Sequence, residues 1–363
     1  MSYVRRGTDT AQHCHPTFRR ANPIPCTTEP VHTRTTNSFI LSGRRRTRTE
    51  GCSRVGGHLP EITIRDPSGG ILATGVPNRR RHPTYPGTSS AAGTLTGVRI
   101  PLRGTGPALA IAHRGASAQA PENTLAAFEL AWTGGARWVE ADVQPTADSE
   151  LVILHDPDLV RTTGLPGTVR ELAAAALAEL DAGSWFGPAF AGQRVPSLRQ
   201  LLDVMPDRGH LLLEIKGEFT PEQIVRKLDT IEGHPAGDRV ALQSFEIHVL
   251  ETVAQLRPGV DLGVLREHLD EDPVALCSWL GASSYNPEYR EFLENPAVIG
   301  PLHEAGIAVA VWTSDDPAEW EQLDALGVDA IITNDPVDLL RWQTSRAPGP
   351  IDGTAPARST SDR

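Results

Sequence analysis

The chain has 363 residues, of which 39 % are hydrophobic and 22 % charged, and its formal net charge is −11. No run of about 18 apolar residues predicts a membrane span, and no apolar stretch near the start has the form of a signal peptide. With only four cysteines and no paired spacing among them, a disulfide framework is also excluded. We therefore expect a soluble cytoplasmic protein with no membrane span.

Charge divides the chain into two unlike parts. Residues 1–107 hold 16 Arg, no Lys and 5 acidic residues, a net charge of +11, whereas the remainder holds 18 basic and 40 acidic residues, a net charge of −22. The first part lacks the apolar periodicity of a packed core, so we predict a disordered arginine-rich region. Such an arm could bind nucleic acid or an acidic surface. It could equally be a solvated tail, or sequence translated upstream of the true start.

From residue 108 to 342, short apolar runs alternate with amphipathic stretches, which is typical of β/α units around a mostly parallel sheet. A helix is predicted from Asn123 to Thr133, because Pro121 precedes its start and Gly134 follows its end. The predicted strands are residues 109–112, 138–143, 151–154, 211–216, 240–244, 262–265, 281–285, 308–312 and 329–333.

Two connections depart from a simple alternation. The link from Gln144 to Glu150 is too short for a parallel crossover, so the strands on either side of it are expected to form a hairpin. Residues 156–200 are too long for a plain loop, and we predict an insertion that covers the site, with a helix at 170–180 and an aromatic, Gly-rich turn at 185–192. Residues 343–363 are of low complexity and are predicted to be disordered.

Charged side chains cluster at the ends of two predicted strands. Glu140 and Asp142 are two residues apart and so project to the same side of their strand, as do Glu214 and Lys216 on theirs. Three carboxylates without a cysteine suit Ca²⁺ or Mg²⁺ better than zinc. The alternative is that the carboxylates form structural ion pairs with Arg137 or Lys216. Burying three anions without a cation is costly, which favours a metal site.

Two histidines also end apolar strands. His113 is followed by Arg114 and Gly115, and His155 closes the run Val-Ile-Leu. One such histidine is more often a satisfied core residue, but two beside carboxylates favour general acid and base catalysis. Arg114 offers a bidentate fork and Lys216 a point charge for a phosphate. Together with one divalent cation, these charges suit a singly charged phosphodiester.

These residues resemble the glycerophosphodiester phosphodiesterase family over residues 108 to about 340. The matching motifs, in chain order, are Ala112-His113-Arg114-Gly115, Pro121-Glu122-Asn123-Thr124, Val139-Glu140-Ala141-Asp142-Val143, Val152-Ile153-Leu154-His155-Asp156, Arg161-Thr162-Thr163-Gly164, Leu180-Asp181-Ala182-Gly183-Ser184-Trp185-Phe186, Val195-Pro196-Ser197-Leu198, Leu213-Glu214-Ile215-Lys216, Gln243-Ser244-Phe245, Val311-Trp312-Thr313 and Gly327-Val328-Asp329-Ala330-Ile331-Ile332-Thr333.

The resemblance implies an α/β fold of the TIM (β/α)8 barrel type, with a small insertion after the third strand. It implies metal-dependent hydrolysis of a small-molecule substrate, an sn-glycero-3-phosphodiester, to glycerol 3-phosphate and an alcohol, and hence a part in lipid and glycerol metabolism. By this resemblance, Glu140, Asp142 and Glu214 would bind a divalent metal cation, Ca²⁺ or Mg²⁺, and His113 and His155 would be the acid/base pair. Arg114 and Lys216 would contact the phosphate, and Trp312 would form an apolar wall of the pocket.

The resemblance leaves several alternatives open. Trp312 is equally well explained as ordinary barrel packing, and Glu122 and Asn123 as partners of the site or as helix-start residues. The chain has Thr146-Ala147-Asp148-Ser149 where the family often has Thr-x-Asp-Gly, and Ser314-Asp315 where Asn is common. We expect neither departure to touch the metal or acid/base set, although the second could change polar contacts at the pocket edge.

The sequence leaves two other functions open. A related barrel phosphodiesterase could act on intact phospholipids or release a cyclic phosphate, but it would need an apolar rim for docking on a membrane. A binding module could act through the arginine-rich arm with an inactive barrel, although the intact acid/base and carboxylate set argues against it. The proposed activity requires no nucleic acid, and the sequence leaves the oligomeric state open.

Overall fold

The computed structural model describes residues 62–65, 71–75 and 98–346. In the first two ranges, strand β1 (Ile62–Arg65) pairs antiparallel with strand β2 (Ile71–Gly75). Both strands lie inside the segment for which the sequence predicts disorder. The rest of that segment up to residue 97, and the predicted tail beyond residue 346, fall outside the described residues.

Eight parallel strands form a closed barrel, as predicted for a TIM barrel. The sheet closes because β3 pairs in parallel with both β4 and β11. The strands of this sheet are β3 (Leu109–Ala112), β4 (Trp138–Pro145), β5 (Leu151–Ile153), β6 (His210–Ile215), β7 (Val240–Ser244), β8 (Leu262–Arg266), β9 (Ser284–Pro287), β10 (Ala308–Val311) and β11 (Ala330–Thr333). Of the nine strands in this sheet, only β5 stands outside the barrel, where it pairs antiparallel with β4.

The helices alternate with the barrel strands, apart from two short helices that lie within the segment 156–200. The helices are α1 (Leu125–Thr133), α2 (Val160–Thr163), α3 (Ala174–Leu177), α4 (Leu198–Val204), α5 (Pro221–Glu232), α6 (Ile247–Leu256), α7 (Pro273–Leu280), α8 (Tyr289–Glu294), α9 (Ile299–Glu304), α10 (Pro317–Leu326) and α11 (Pro336–Arg346). Short 3-10 turns span Val169–Glu171, Pro188–Phe190, Gly237–Arg239 and Pro296–Val298. No helix of the described part of the chain is long and apolar enough to cross a membrane.

The predicted hairpin after Asp142 is confirmed, because β4 and β5 pair antiparallel with Val143 opposite Ile153. The buried side chain of Gln144 holds the backbone that follows β5 in place. The amide of Gln144 donates to the carbonyl oxygens of Leu154, His155 and Asp156 at 2.8, 3.0 and 2.7 Å. The hairpin therefore delivers His155 to the same end of the barrel as Asp142.

The insertion between β5 and α4 has a small core of its own. The prediction of one helix over 170–180 is wrong, because the segment forms a 3-10 turn and the separate short helix α3. Thr168 and Glu171 close a capping box around the first turn, and the chain then runs extended at Leu172, whose carbonyl accepts from the N–H of Ala147. The predicted turn over 185–192 contains the 3-10 turn Pro188–Phe190.

Residues before the predicted boundary at 107 pack against the barrel. Ile100 is 2 % exposed and joins the inward-facing side chains of Ile111 and Trp138. Arg103 forms an ion pair with Asp324 at 3.0 Å. The packed part of the chain therefore includes Val98, Ile100 and Arg103, which lie before the predicted boundary. At the other boundary, α11 continues beyond residue 342 to Arg346.

Several strands begin or end one or two residues from the predicted positions, and two larger differences have a local cause. Thr124 caps α1, so this helix begins at Leu125 rather than at Asn123. Strand β9 spans Ser284–Pro287 rather than 281–285, because Gly281 adopts a left-handed conformation (φ 67°) that ends α7. Glycine favours this conformation because it has no Cβ.

A lysine is buried between α5 and the barrel wall. The side chain of Lys227 is fully buried, and its amine has no hydrogen-bond partner and lies 4.6 Å from the centroid of the Phe219 ring. Burial lowers the pKa of Lys227 well below its ordinary value of 10.5. We expect Lys227→Met to increase the free energy of unfolding by about 1–3 kcal/mol, because an apolar side chain of similar length does not leave a buried donor unsatisfied. Urea unfolding measures the change.

Because burial lowers the pKa of Lys227, the difference in stability between wild type and Lys227→Met should depend on pH. Between the lowered folded pKa and 10.5, the unfolded chain binds more protons at Lys227, so wild-type stability rises with pH across this window. The advantage of Lys227→Met should therefore shrink from pH 7 to pH 10. Arg226→Met on the same helix, at a largely exposed position, is the control. A loss of stability in Lys227→Met would instead indicate a charged amine held over Phe219.

Candidate active site

The carboxyl ends of the barrel strands enclose a cavity of about 620 Å³. Seven of the eight predicted site residues line it, namely His113, Arg114, Glu140, His155, Glu214, Lys216 and Trp312. The eighth, Asp142, is 1 % exposed and lies beneath them, 3.3 Å from Arg114 and 3.6 Å from Lys216. The structure thus brings all eight side chains together at one end of the barrel.

Three buried carboxylates form the floor of the cavity. Oxygen atoms of Glu140, Asp142 and Glu214 lie within 4.8 Å of one another, and all three residues are buried. Oε1 of Glu140 and Oδ1 of Asp142 have no hydrogen-bond partner. Buried acceptors without partners are costly in a folded protein, so oxygen atoms that converge in this way fit a bound cation. The donor set of three carboxylates suits a hard divalent ion.

The electrostatics of the floor reflect three negative charges in a small buried space. Burial, together with the charges of Asp142 and Glu214, raises the pKa of Glu140 well above its ordinary value. Burial and Asp142 raise the pKa of Glu214 to about 7. Burial also opposes ionisation of Asp142, but Arg114 and Lys216 outweigh it and hold the pKa of Asp142 well below its usual range.

Two cations flank the carboxylates. The amine of Lys216 lies 2.9 Å from Oε1 of Glu214, so the ion pair considered as an alternative does form. Within residues 98–346, however, Arg137 forms no ion pair with the cluster, and Oε1 of Glu140 stays without a partner. Arg114 has a positive φ of 56°, which is unusual for a bulky residue, and its backbone N–H donates to Glu140 at 3.0 Å.

His113 is held through one ring nitrogen. Its Nδ1 lies 2.7 Å from Oδ1 of Asn334, which follows β11. Burial and the charge of Arg114 lower the pKa of His113 to about 4. A neutral imidazole with Nδ1 bonded has Nε2 available on the side of the cavity, as general base catalysis requires.

His155 is held through a charged network. Its Nδ1 lies 2.7 Å from Asp156, which also accepts from Arg161 at 2.6 Å. Arg161 in turn donates two hydrogen bonds to Glu122, at 2.6 and 2.8 Å, and Glu122 accepts from Arg114 at 2.9 Å. A continuous chain of charge-assisted hydrogen bonds therefore links His155 to Arg114.

Two aromatic residues form part of the cavity wall. The indole N–H of Trp312 donates to the carbonyl of Asn286 at 2.8 Å, and its ring meets Phe245 edge to face with centroids 5.5 Å apart. Both rings line the cavity. The hydrogen bond and the aromatic contact hold the indole in one orientation at the cavity wall, which fits the apolar wall considered for Trp312.

The structure adds residues that the sequence left undecided or unnoticed. Asn123 donates to Oδ2 of Asp142 at 2.8 Å and Glu122 contacts two arginines, so both act as partners of the site and leave the helix cap to Thr124. Asn334 is not among the predicted site residues, although it directly follows a predicted strand. The end of that strand was the available signal, since barrel enzymes collect functional side chains there.

Comparison with known proteins agrees with this geometry. Residues 113–338 match the model of the glycerophosphoryl diester phosphodiesterase family. A glycerophosphodiester phosphodiesterase of Caldanaerobacter subterraneus is 34 % identical over 235 residues, which cover 64 % of this chain and 96 % of the relative.

Two solved structures share the fold. A phosphodiesterase of Oleispira antarctica in complex with the product sn-glycerol-3-phosphate is 29 % identical, with a TM-score of 0.62 over 65 % of this chain and 96 % of its own. A glycerophosphodiester phosphodiesterase of Agrobacterium tumefaciens is also 29 % identical, with a TM-score of 0.55 over 63 % and 97 %. The chain therefore belongs to the glycerophosphoryl diester phosphodiesterase family, a family of phosphoric diester hydrolases.

Proposed function

We propose that the protein hydrolyses sn-glycero-3-phosphodiesters to glycerol 3-phosphate and an alcohol with the help of a divalent cation. One observation carries the proposal: a buried carboxylate triad, two cationic side chains and two histidines line or underlie a single cavity. Family membership and the product bound in the Oleispira antarctica phosphodiesterase support this substrate class.

Glu140, Asp142 and Glu214 would hold the cation. Its hard oxygen ligands favour Ca²⁺ or Mg²⁺. A divalent ion bound there supplies Lewis acidity that polarises a phosphoryl oxygen. The two buried carboxylate oxygens without hydrogen-bond partners support this assignment. So does the raised pKa of Glu140 and Glu214, which results from burial and from the neighbouring carboxylates, because a bound cation would offset both effects.

Arg114 and Lys216 would bind the phosphodiester. Both side chains line the cavity and stay close to the triad, so a substrate phosphate between them lies beside the ion site. The triad and one divalent ion together leave a charge of −1, and the two cationic side chains bring the total to about +1. A singly charged phosphodiester neutralises this site. Trp312 and Phe245 would contact the carbon skeleton of the substrate.

The histidines would move the protons. One imidazole accepts a proton from the attacking oxygen nucleophile, and the other donates a proton to the leaving alkoxide, which leaves as the alcohol. We assign the base to His113, because its pKa, lowered to about 4, keeps the imidazole neutral at pH 7, and because its Nδ1 is bonded to an amide oxygen. We assign the acid to His155, because it has a carboxylate, that of Asp156, at its Nδ1, where His113 has a neutral amide. Burial lowers the pKa of His155 below its ordinary value, and the Asp156 carboxylate acts against this shift by favouring the imidazolium.

A substrate panel tests the proposal. Purified protein is given glycerophosphocholine, glycerophosphoethanolamine, glycerophosphoglycerol and a diacyl phospholipid, with and without a chelator. The released head-group alcohol is measured for every substrate, and glycerol 3-phosphate is measured in addition for the deacylated ones. We expect release from the deacylated substrates only, loss of release in the chelator, and recovery with Mg²⁺ or Ca²⁺. Undiminished activity in the chelator, or release from the diacyl lipid alone, would contradict the proposal.

A further inference from the structure

Asp315 begins a line of hydrogen bonds that ends on His113. One carboxylate oxygen of Asp315 accepts from the side-chain amide of Asn334 at 2.6 Å. The other accepts from the backbone N–H of Asn334 at 2.7 Å and from the hydroxyl of Thr333 at 2.8 Å. Oδ1 of Asn334 then lies 2.7 Å from Nδ1 of His113. Asp315 thus reaches the histidine through a single intervening side chain.

These contacts determine the orientation of the Asn334 amide. A carboxylate only accepts hydrogen bonds, so the NH₂ group of Asn334 must face Asp315 and its oxygen must face His113. The hydroxyl of Ser117 lies 2.9 Å from the same oxygen and 2.8 Å from the backbone carbonyl of His113, and its one hydrogen can be donated to either acceptor. Because the amide oxygen only accepts, the proton of the neutral imidazole must be on Nδ1, and Nε2 carries the lone pair.

We propose that Asp315 is a positioning residue that, through Asn334, fixes His113 in the tautomer with a free Nε2 lone pair on the side of the cavity. The inference rests on the proposed function of His113 as the general base. It also revises the expectation that the Ser314-Asp315 departure leaves the acid/base set untouched, since only Asn334 stands between Asp315 and His113.

Asp315→Asn, which keeps the shape of the side chain, should reverse the direction of the hydrogen bonds from residue 315 through Asn334 to His113. The backbone N–H of Asn334 cannot change its direction, so the oxygen of the new amide must face it, and the new NH₂ group then faces the Asn334 side chain. Asn334 has to turn its oxygen toward that group and its own NH₂ toward His113. Nδ1 of His113 must then accept, which moves the imidazole proton to Nε2 and removes the base.

Asn334→Asp in the Asp315→Asn background should restore the wild-type direction of the hydrogen bond at Nδ1 of His113. The new carboxylate at position 334 accepts from the amide at 315 on one side and from Nδ1–H of His113 on the other. The double variant therefore returns the proton to Nδ1 with no change in side-chain size. Simple damage to the fold would not be repaired by this second substitution.

Nitrogen NMR of the full-length protein with 15N-labelled histidine reads the tautomer directly. Twelve histidines contribute signals, and the loss of one set in His113→Gln assigns the His113 pair. We expect wild type and the double variant to show Nδ1 protonated and Nε2 bare, and Asp315→Asn to show the reverse. Asp316→Asn is the matched control, since Asp316 caps α10 and does not contact Asn334.

Kinetics provide the second readout. In Asp315→Asn we expect kcat to fall by about 10²-fold or more with KM nearly unchanged, and the double variant to recover most of the loss. A protonated Nδ1 of His113 in Asp315→Asn would overturn the inference, as would failure of the double variant to restore the tautomer. The NMR result does not require turnover, so an inactive wild type would contradict the proposed function and leave this test intact.

Discussion

Glu214→Gln is expected to lower kcat/KM by about 10³-fold or more and to abolish the rise in Tm that Mg²⁺ or Ca²⁺ gives the wild type. The substitution replaces one of three converging carboxylates by a neutral amide of equal size. Losing ion-assisted stabilisation of the phosphoryl oxygens costs several kcal/mol of transition-state binding, which corresponds to this rate. Thermal unfolding with and without each ion measures the Tm shift, and glycerol 3-phosphate release measures the rate.

The pH dependence of ion binding follows from the raised pKa of Glu214. In the folded, ion-free protein this pKa is about 7, above the ordinary value of 4.5, so the folded state binds more protons than the unfolded chain between these values. The contribution of Glu214 to stability is therefore lost as pH rises from 4.5 to 7. An ion needs the deprotonated carboxylate, so the ion-induced Tm shift should be larger at pH 8 than at pH 6.

Glu218→Gln is the control for this prediction. Glu218 lies four residues further along the same chain segment, and its side chain is 82 % exposed. It should change neither the rate nor the ion-induced Tm shift. An ion-induced shift that survives in Glu214→Gln would show that the ion binds elsewhere in the chain.

The sequence predicted most of the site because strand periodicity is strict. Glu140 and Asp142 are two residues apart on a strand that is buried on both faces, so both had to project into the barrel. The short link after Asp142 also predicted the hairpin that returns His155 to this end. The alternation of strands and helices predicted a mostly parallel sheet, and the family resemblance implied its closure into a barrel.

The partners of the site could not be predicted in the same way. Asn334 and His113 are 221 residues apart, and their contact exists only because β3 and β11 close the barrel. The sequence also could not show that the side chain of Gln144 donates hydrogen bonds to the backbone carbonyls of Leu154, His155 and Asp156. The prediction of one helix over 170–180 was wrong because an alanine-rich run favours a helix. A capping box and the hydrogen bond from the N–H of Ala147 to the carbonyl of Leu172 divide the segment into two short turns instead.

The histidine variants should differ in their response to the leaving group. His113→Gln and His155→Gln are each expected to lower kcat by about 10²–10⁴-fold on glycerophosphodiesters with an alkyl alcohol. An alkoxide leaves only with a proton, whereas p-nitrophenolate leaves without one. The loss in the variant that lacks the acid should therefore nearly disappear with a p-nitrophenyl ester, and the loss in the variant that lacks the base should remain.

We expect the recovery in His155→Gln, because the Asp156 carboxylate at 2.7 Å favours the protonated imidazole of His155, whereas His113 is bonded to a neutral amide. Rates for glycerol 3-phosphate esters of ethanol and of p-nitrophenol, measured on both variants, decide the assignment. His268→Gln is the control, because His268 is 85 % exposed and does not line the cavity. Recovery in His113→Gln instead would exchange the two roles, and equal losses with both esters in both variants would remove the histidines from protonation of the leaving group.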